Sequence, residues 1–262
     1  MIIDFHTHCF PDKIAMRAVE SLGKAAALVP NFDGTADGLL KSMKEDKIDI
    51  SVVLNIATNP HQQTSVNNFA AELNKKPRLV AFGSVHPDAE DALDELERIA
   101  GMGLKGVKFH PEYQNFYVDD VKMRPIYKKI SQLGLITVFH AGADYGFASP
   151  YKCMPQSLAK ALEWFDSPVV AAHWGGLMCH EDVINHLCGL PIHFDVSFGY
   201  GTVALPMIRK IVEKHGTDKL LFGSDSPWHK PSQDLSVLSA LQLSEVDINK
   251  ICCTNACKLL QL

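Results

Sequence analysis

Short apolar runs recur along the chain at nearly regular intervals, and they predict eight β-strands. The runs cover residues 2–6, 50–56, 79–85, 105–110, 135–140, 168–173, 192–197 and 219–224. Between them, apolar residues recur at the spacing of amphipathic helices. These helical segments lie at residues 89–99, 123–133, 155–165, 181–187 and 203–215, and a further helix is predicted at about 245–260.

Eight strands that alternate with helices predict an α/β fold of the (β/α)8 TIM-barrel class. A doubly wound open sheet is the alternative, but no glycine-rich phosphate-binding turn follows the first strand. The connection at residues 22–38 is longer and looser than the others and is a candidate lid over the barrel mouth. We expect a single domain over residues 1–262.

Polar residues stand at the carboxyl ends of these apolar runs. Side chains two apart in a strand point the same way, so His6 and His8 converge, and Lys108 and His110 share a face. A charge trapped between strands and helices would be costly, so the polar face, including Asp4, is expected to look into the barrel. In such barrels the carboxyl ends of the strands carry the active site.

Composition narrows the class of protein. The chain has 262 residues, 47% of them hydrophobic, and a barrel domain needs roughly 250 residues. The net charge of −5 is mild and no run of Lys and Arg occurs, so nucleic acid is not an expected partner. No segment is apolar enough to span a membrane, and the N-terminus does not resemble a signal peptide.

The seven cysteines are odd in number and form no Cys-X-X-Cys pair. Small buried thiols in a reducing compartment fit this usage. We therefore expect a soluble cytoplasmic protein that acts on a small molecule without a membrane partner. The oligomeric state stays open, with a homo-oligomer among the alternatives.

Four short motifs follow one another in an order known from one enzyme superfamily. They are His6-Thr7-His8, Val138-Phe139-His140-Ala141-Gly142, Ala172-His173-Trp174-Gly175-Gly176 and Phe222-Gly223-Ser224-Asp225-Ser226-Pro227. Together they resemble the amidohydrolase superfamily over nearly the whole chain. The His-X-Gly-Gly and Gly-Ser-Asp-X-Pro patterns are most similar to the amidohydrolase-2 branch, which contains aminocarboxymuconate semialdehyde decarboxylase and metal-dependent hydrolases.

The resemblance implies a catalytic metal site. In it, His6, His8, His140 and Asp225 hold the ion, and His173 is either a further ligand or a neighbouring acid–base group. Imidazoles with a carboxylate and one open position suit catalytic Zn²⁺, which lowers the pKa of a bound water to about 7. Zn²⁺ is the expected cofactor, with Mn²⁺, Fe²⁺ and Co²⁺ as alternatives. Asp225 and His173 are the candidate catalytic residues.

A second metal ion is an open alternative. Superfamily members with two metals carry a carbamylated lysine on the fourth strand, and Lys108 matches that place by order, whereas the decarboxylase-like branch works with one metal. Glu112 would supply a carboxylate to the second ion. Asp195 and Ser197 share a face of the seventh strand and are candidates to orient a ligand histidine.

Aromatic and polar residues that follow the strands are candidate substrate contacts, because pockets for flat or partly apolar ligands are lined in this way. They are His110, Tyr113, Trp174 and Trp228.

The leading hypothesis is a metal-dependent hydrolase acting on an ester, lactone or amide bond of a small organic substrate. The alternative on the same scaffold is a lyase, either a decarboxylase or a hydratase. A dicarboxylate decarboxylase should need guanidinium groups, and none of the five arginines immediately follows a predicted strand end. A third alternative is a metal-binding barrel without catalytic activity.

Overall fold

All eight predicted strands are present in the computed structural model, which describes residues 1–262. They are β1 (Ile3–Thr7), β2 (Ile50–Leu54), β3 (Leu79–Phe82), β4 (Gly106–Phe109), β5 (Ile136–Phe139), β6 (Val169–Ala171), β7 (His193–Asp195) and β8 (Leu220–Leu221). Most strands end earlier than predicted. His6 and Lys108 lie within strands, whereas the other polar residues that were placed at strand ends lie in the loops that follow: His8, His110, His140, His173 and Asp225.

The strands close into one parallel barrel in chain order. Strands β1 to β3 pair consecutively, as do β4 to β8. A parallel bridge between Gly83 and Val107 joins β3 to β4, and one between Thr7 and Ser226 joins β1 to the segment after β8. The single-domain (β/α)8 TIM barrel is thereby confirmed.

Eleven α-helices surround or cover the barrel. They are α1 (Asp12–Ala26), α2 (Ala36–Glu45), α3 (Gln63–Leu73), α4 (Ala92–Gly101), α5 (Arg124–Gln132), α6 (Pro155–Ala161), α7 (His180–His186), α8 (Leu205–His215), α9 (Pro231–Ala240), α10 (Glu245–Asn249) and α11 (Asn255–Leu260). The predicted terminal helix is interrupted by a π-helical segment at Lys250–Thr254. After it, the side-chain amide of Asn255 donates to the carbonyls of Thr217 and Leu220, just before and within β8.

The connection at residues 22–38 is less irregular than expected. Helix α1 continues to Ala26 and α2 begins at Ala36, so only residues 27–35 lack helical structure. Gly23 permits this arrangement, because a Cβ there would lie 2.7 Å from the carbonyl oxygen of Leu28 and 3.5 Å from the Trp228 ring. The C-terminal part of α1 thus packs against the loop after β8, at the mouth of the barrel.

The strict alternation of side chains predicted for β1, with the polar face alone inside the barrel, is wrong in part. Its register against β2 shifts between Asp4 and Thr7, where three residue steps oppose two. Phe5 joins the buried cluster that contains Val138, and its ring lies edge-on to that of Phe82. His6 nevertheless also turns inward, with Nε2 at 3.4 Å from Nζ of Lys108. The bulge therefore places both side chains of a consecutive pair inside the barrel.

All seven cysteines are free thiols. None of the helices combines the length and the apolar composition that crossing a membrane requires.

Candidate active site

A cavity of about 510 Å³ opens at the carboxyl ends of the strands. Most residues singled out from the sequence line it. They are His6, His8, Lys108, His110, Tyr113, His140, His173, Asp225 and Trp228. The others, Glu112, Trp174, Asp195 and Ser197, do not.

Three of these side chains converge on one point. Nε2 of His8 lies 3.0 Å from Oδ1 of Asp225, Nε2 of His6 lies 3.3 Å from the same oxygen, and the two Nε2 atoms are 3.2 Å apart. Bonds of 2.0–2.1 Å to a tetrahedral Zn²⁺ would separate the donor atoms by about 3.3 Å. The donor set and its spacing therefore fit a divalent metal ion.

Hydrogen bonds hold both imidazoles in this orientation. Nδ1 of His6 lies 2.9 Å from Oδ2 of Asp195, and Nδ1 of His8 lies 2.8 Å from the carbonyl oxygen of Leu54. Each Nδ1 faces an acceptor and so carries the proton, which leaves the Nε2 lone pair free for a metal ion. Asp195 thus occupies the orienting position that its place in β7 suggested.

The backbone holds Asp225 in place. The residue has φ 63°, in the left-handed region that a non-glycine residue rarely adopts. Its amide donates to the carbonyl oxygen of His6 over 2.7 Å. Strain of this kind persists where the surroundings determine it and is concentrated at functional sites. Here it coincides with the convergence on the two imidazoles.

His173 borders the convergent group without joining it. Its ring stacks on that of His6 with centroids 5.0 Å apart, and Nδ1 lies 2.8 Å from Oγ of Ser197. Nε2 of His173 lies 3.1 Å from Nδ1 of His140. Ligand atoms of His173, His6 and Asp195 also lie close enough together to hold a metal ion. Its assignment as ligand or as acid–base group stays a prediction.

The structure does not bring His140 to the point where His6, His8 and Asp225 converge. Nε2 of His140 lies 2.9 Å from the carbonyl oxygen of Ala143, and Nδ1 faces His173. Both nitrogens are therefore engaged elsewhere. His140 as a ligand remains a prediction that requires its ring to move.

A further group contains Asp144, which the sequence reasoning missed although it follows β5 by a few residues. Nε2 of His110 lies 3.2 Å and Nε2 of His140 lies 3.7 Å from Oδ2 of Asp144. The two rings are stacked, with centroids 4.1 Å apart and planes inclined by only 17°. Imidazole lone pairs lie in the ring plane, so these rings as oriented cannot both reach one ion over 2 Å bonds.

Burial keeps His6 and His173 neutral. It lowers the pKa of His6 and of His173 well below the usual value, and nearby positive groups lower both further. Burial alone would raise the pKa of Asp225, but His6 and His8, with Lys108, outweigh it and hold the pKa below the usual value. Near pH 7 the site therefore combines the neutral imidazoles of His6 and His173 with the ionised carboxylate of Asp225, and neutral imidazole and carboxylate are the forms that bind a metal ion.

Lys108 is a buried cation without a carboxylate at ion-pair distance. It is 1% exposed, and its Nζ lies 3.4 Å from Nε2 of His6. Burial lowers its pKa to about 8, a shift that Asp195 and Asp225 partly oppose. It is the one lysine or arginine that lines the cavity.

Two sequence-based assignments are corrected by the structure. Glu112 does not reach the cavity, because its carboxylate accepts hydrogen bonds from the backbone amide and from Nζ of Lys152, at 2.6 and 3.2 Å. Trp174 is fully buried in the main hydrophobic core and does not line the cavity. Its φ of 57° directly follows that of His173, at 60°, and turns the indole inward while the imidazole faces the site.

Comparison with solved structures shows the same fold in several proteins of low identity. A 5-carboxyvanillate decarboxylase from Sphingomonas paucimobilis is 15% identical with a TM-score of 0.71, and the match covers 100% of this chain and 99% of that chain. A TIM-barrel protein from Bordetella bronchiseptica is 17% identical with a TM-score of 0.78, over 99% and 98% of the two chains.

A candidate 2-pyrone-4,6-dicarboxylic acid hydrolase from Pseudomonas putida is 18% identical with a TM-score of 0.69, over 99% of this chain and 97% of that chain. No curated protein matches the chain in sequence. The amidohydrolase family model matches residues 3–262, which is nearly the whole chain. The chain belongs to the amidohydrolase family, whose members are metal-dependent and largely enzymes.

Proposed function

We propose that the protein is a metal-dependent hydrolase that cleaves an ester, lactone or amide bond of a small organic substrate with water. The observation that carries this proposal is the convergence of Nε2 of His6, Nε2 of His8 and Oδ1 of Asp225 within 3.0–3.3 Å of one another. These atoms line a cavity large enough for a small organic molecule.

His6, His8 and Asp225 would hold a divalent cation, with His140 and His173 as neighbouring candidates. Such an ion supplies Lewis acidity to a carbonyl oxygen and to a water molecule. Imidazole and carboxylate donors favour Zn²⁺, and they also accept Mn²⁺, Fe²⁺ and Co²⁺. One ion is preferred over two, because Glu112 lies outside the cavity and the rings of His110 and His140 are stacked.

Asp225 and His173 are the groups that would move the proton of the attacking water. The carboxylate of Asp225 is ionised near neutral pH, since its pKa is held below the usual value by His6 and His8 against the effect of burial. Its second oxygen would accept the proton. His173 is neutral and its Nδ1 is positioned by Ser197, so Nε2 would take this proton from Asp225 and pass it to the leaving group.

Lys108 would stabilise the negative charge that develops on the carbonyl oxygen. Its pKa of about 8 leaves the ammonium mostly protonated at pH 7. No carboxylate neutralises it at ion-pair distance, so its charge is directed at the cavity. A fixed positive charge in a water-poor site is an effective way to stabilise an oxyanion. His110, Tyr113 and Trp228 would complete the substrate contacts as cavity-lining residues.

A decarboxylase is the second candidate, and Lys108 is the observation that favours it, since a buried ammonium also binds a substrate carboxylate. Against it, no arginine lines the cavity. Arg78 donates to two backbone carbonyls just before β2, and Arg98 pairs with Glu95 on α4. A planar carboxylate would therefore lack the bidentate guanidinium contact that usually orients it.

The test is a comparison of two reactions on metal-loaded protein. Zinc is quantified per chain, and hydrolysis of aryl esters and γ-lactones is measured beside CO₂ release from aromatic carboxylic acids. We expect ester or lactone cleavage that is removed by a chelator and restored by zinc. Release of CO₂ without ester or lactone cleavage would make the lyase correct, and absence of both reactions in zinc-loaded protein would favour an inert metal-binding barrel.

A further inference from the structure

One side of the cavity is formed by an apolar stripe on helix α1. Ile14, Ala18, Leu22 and Ala26 line the cavity at intervals of four residues, which places them along one face of the helix. Twelve residues of helix span about 18 Å. The stripe is therefore long compared with the group formed by His6, His8 and Asp225.

Helix α3 adds apolar surface to the same cavity through Val66 and Phe69. We call the surface formed by these two residues and the α1 stripe the apolar arm. Its remaining helical neighbours are the uncharged Ser21, Ser65 and Gln62.

Ionisable side chains lie elsewhere in the cavity. All of its lysine, histidine and aspartate side chains belong to the ends of the strands and the loops after them, and none comes from α1 or α3. The cavity is thus divided into a polar floor, where chemistry is proposed, and a long uncharged arm. A ligand that fills both parts has a reactive polar group at one end and an extended apolar group at the other.

Helix α1 is held over the mouth of the barrel by contacts at its C-terminal end. Gly23 packs close to Trp228 in the loop after β8, and a Cβ on Gly146, in the loop after β5, would lie 4.0 Å from the carbonyl oxygen of Ala25. Ile14, toward the other end of the stripe, is 50% exposed. The arm therefore runs beneath a helix that packs on two loops at the rim, and it meets solvent at Ile14.

We propose that the apolar arm binds an unbranched, uncharged hydrocarbon chain of the substrate, so that the substrate class is an ester or lactone bearing an alkyl or acyl chain. This inference rests on the proposed hydrolase function for the reactive bond, but the arm's affinity for the chain does not. Burying each methylene contributes about 0.8 kcal/mol, so chain length should govern affinity. A charge at the far end of the chain would be desolvated without a partner in the arm.

The experiment compares p-nitrophenyl butyrate with p-nitrophenyl decanoate on zinc-loaded protein. Ala18→Phe fills the arm from α1, and Ala25→Phe, on an exposed position of the same helix outside the cavity, is the matched control. We expect decanoate to have the higher kcat/KM in the parent protein. Ala18→Phe should lower kcat/KM for decanoate by roughly a hundredfold, the effect of excluding about four methylenes, while butyrate is little changed.

A second measurement separates binding from turnover. Decanol is titrated calorimetrically into the parent protein and both variants, and the p-nitrophenyl monoester of decanedioic acid, which carries a terminal carboxylate, is compared with the decanoate. Decanol binding that Ala18→Phe removes and Ala25→Phe keeps would support the arm even if no ester were cleaved, in which case the proposed function alone would fail. Val66→Phe fills the same arm from α3 and serves if Ala18→Phe does not fold.

The inference is overturned if decanol does not bind, or if the monoester with the terminal carboxylate is cleaved as well as the decanoate. It is also overturned if Ala18→Phe and Val66→Phe, both folded by circular dichroism, leave the chain-length preference unchanged. In any of these cases cleavage of short esters would still support the hydrolase.

Discussion

Nδ1 of His6 lies 2.9 Å from Oδ2 of Asp195 inside the barrel, although the two residues are 189 positions apart in the chain. The contact joins β1 to β7 and fixes the rotation of the His6 ring. With Nδ1 held, Nε2 points toward His8 and Asp225. Asp195 also accepts a hydrogen bond from the backbone amide of His173 over 3.1 Å, so one carboxylate organises two sides of the site.

Replacing this carboxylate should weaken metal binding without removing a proposed ligand. We expect Asp195→Asn to lower zinc affinity by about 10–100-fold, the usual effect of losing a partner that orients a metal-bound histidine. Competition with a chromophoric chelator would measure the affinity. Asp94→Asn, at an exposed position on α4, is the control. Unchanged affinity in Asp195→Asn would show that His6 does not need this contact.

Metal content should depend on the group formed by His6, His8 and Asp225, and not on the group formed by His110, His140 and Asp144. His8→Ala removes one of three convergent donors and is expected to leave the purified protein largely without metal. His110→Ala removes a ring that is stacked on His140 and should leave about one equivalent of metal bound, since stacked rings cannot share an ion. Elemental analysis of both variants after identical purification decides the point. Metal loss in His110→Ala would contradict the single-ion site.

His173 is expected to matter for turnover more than for metal binding. Its Nε2 faces His140 rather than the convergent atoms, so His173→Ala should retain most of the metal. Turnover should fall by about 10²–10⁴-fold, the range for losing a general acid or base. Metal content and kcat are measured on the same preparation. Loss of metal in proportion to activity would instead identify His173 as a ligand.

Lys108 should stabilise the reaction and destabilise the fold. Its ammonium is buried without a carboxylate at ion-pair distance, and replacing buried charges by apolar side chains of similar size is often stabilising. We expect Lys108→Met to raise the free energy of unfolding by about 1–3 kcal/mol and to lower activity. Urea unfolding and kinetics test the two effects separately. A less stable variant would show that Lys108 is compensated in the folded protein.

Acid should destabilise the protein in part through His215. This residue stacks on Phe194 with centroids 3.9 Å apart, and burial, assisted by Lys219, lowers its pKa to about 4. The unfolded chain binds the proton near pH 6.5. Between these values the unfolded state holds more protons, so stability falls as the pH drops from about 6.5 toward 4, by an amount on the order of 2 kcal/mol.

The variant His215→Asn keeps an acceptor for the amide of Gly189 but does not titrate in this range. Its free energy of unfolding should therefore depend less on pH between about 4 and 6.5 than that of the parent. His61→Asn, at an exposed position, is the control and should follow the parent. Parallel pH profiles for all three proteins would rule out the contribution of His215.

Much of the fold could be predicted from the sequence, because strands and helices leave a pattern of apolar and polar residues in short stretches of the chain. The spacing of apolar runs identified all eight strands, and the histidines at the end of the first run identified the carboxyl ends as the site. The bulge in β1 could not be predicted, because it depends on the register of β1 against β2. For the same reason alternation alone could not place Phe5 in the barrel.

Residues in loops were the least predictable part of the site. Glu112 follows β4 much as Asp144 follows β5, yet only Asp144 lines the cavity. Glu112 is held away by Lys152, a contact across 40 positions of the chain. Trp174, adjacent to His173, is turned into the core by left-handed backbone that no alternation rule describes.

By itself, the sequence determined that strands and helices alternate around a barrel and that imidazoles and a carboxylate stand where the strands finish. Periodicity of this kind follows from the geometry of neighbouring residues along the backbone. Only the tertiary structure decided which donors share a point, which rings stack, and that the apolar face of helix α1 lines the cavity at the mouth. These depend on strand register and on packing between distant segments, and neither is encoded in any short stretch of the chain.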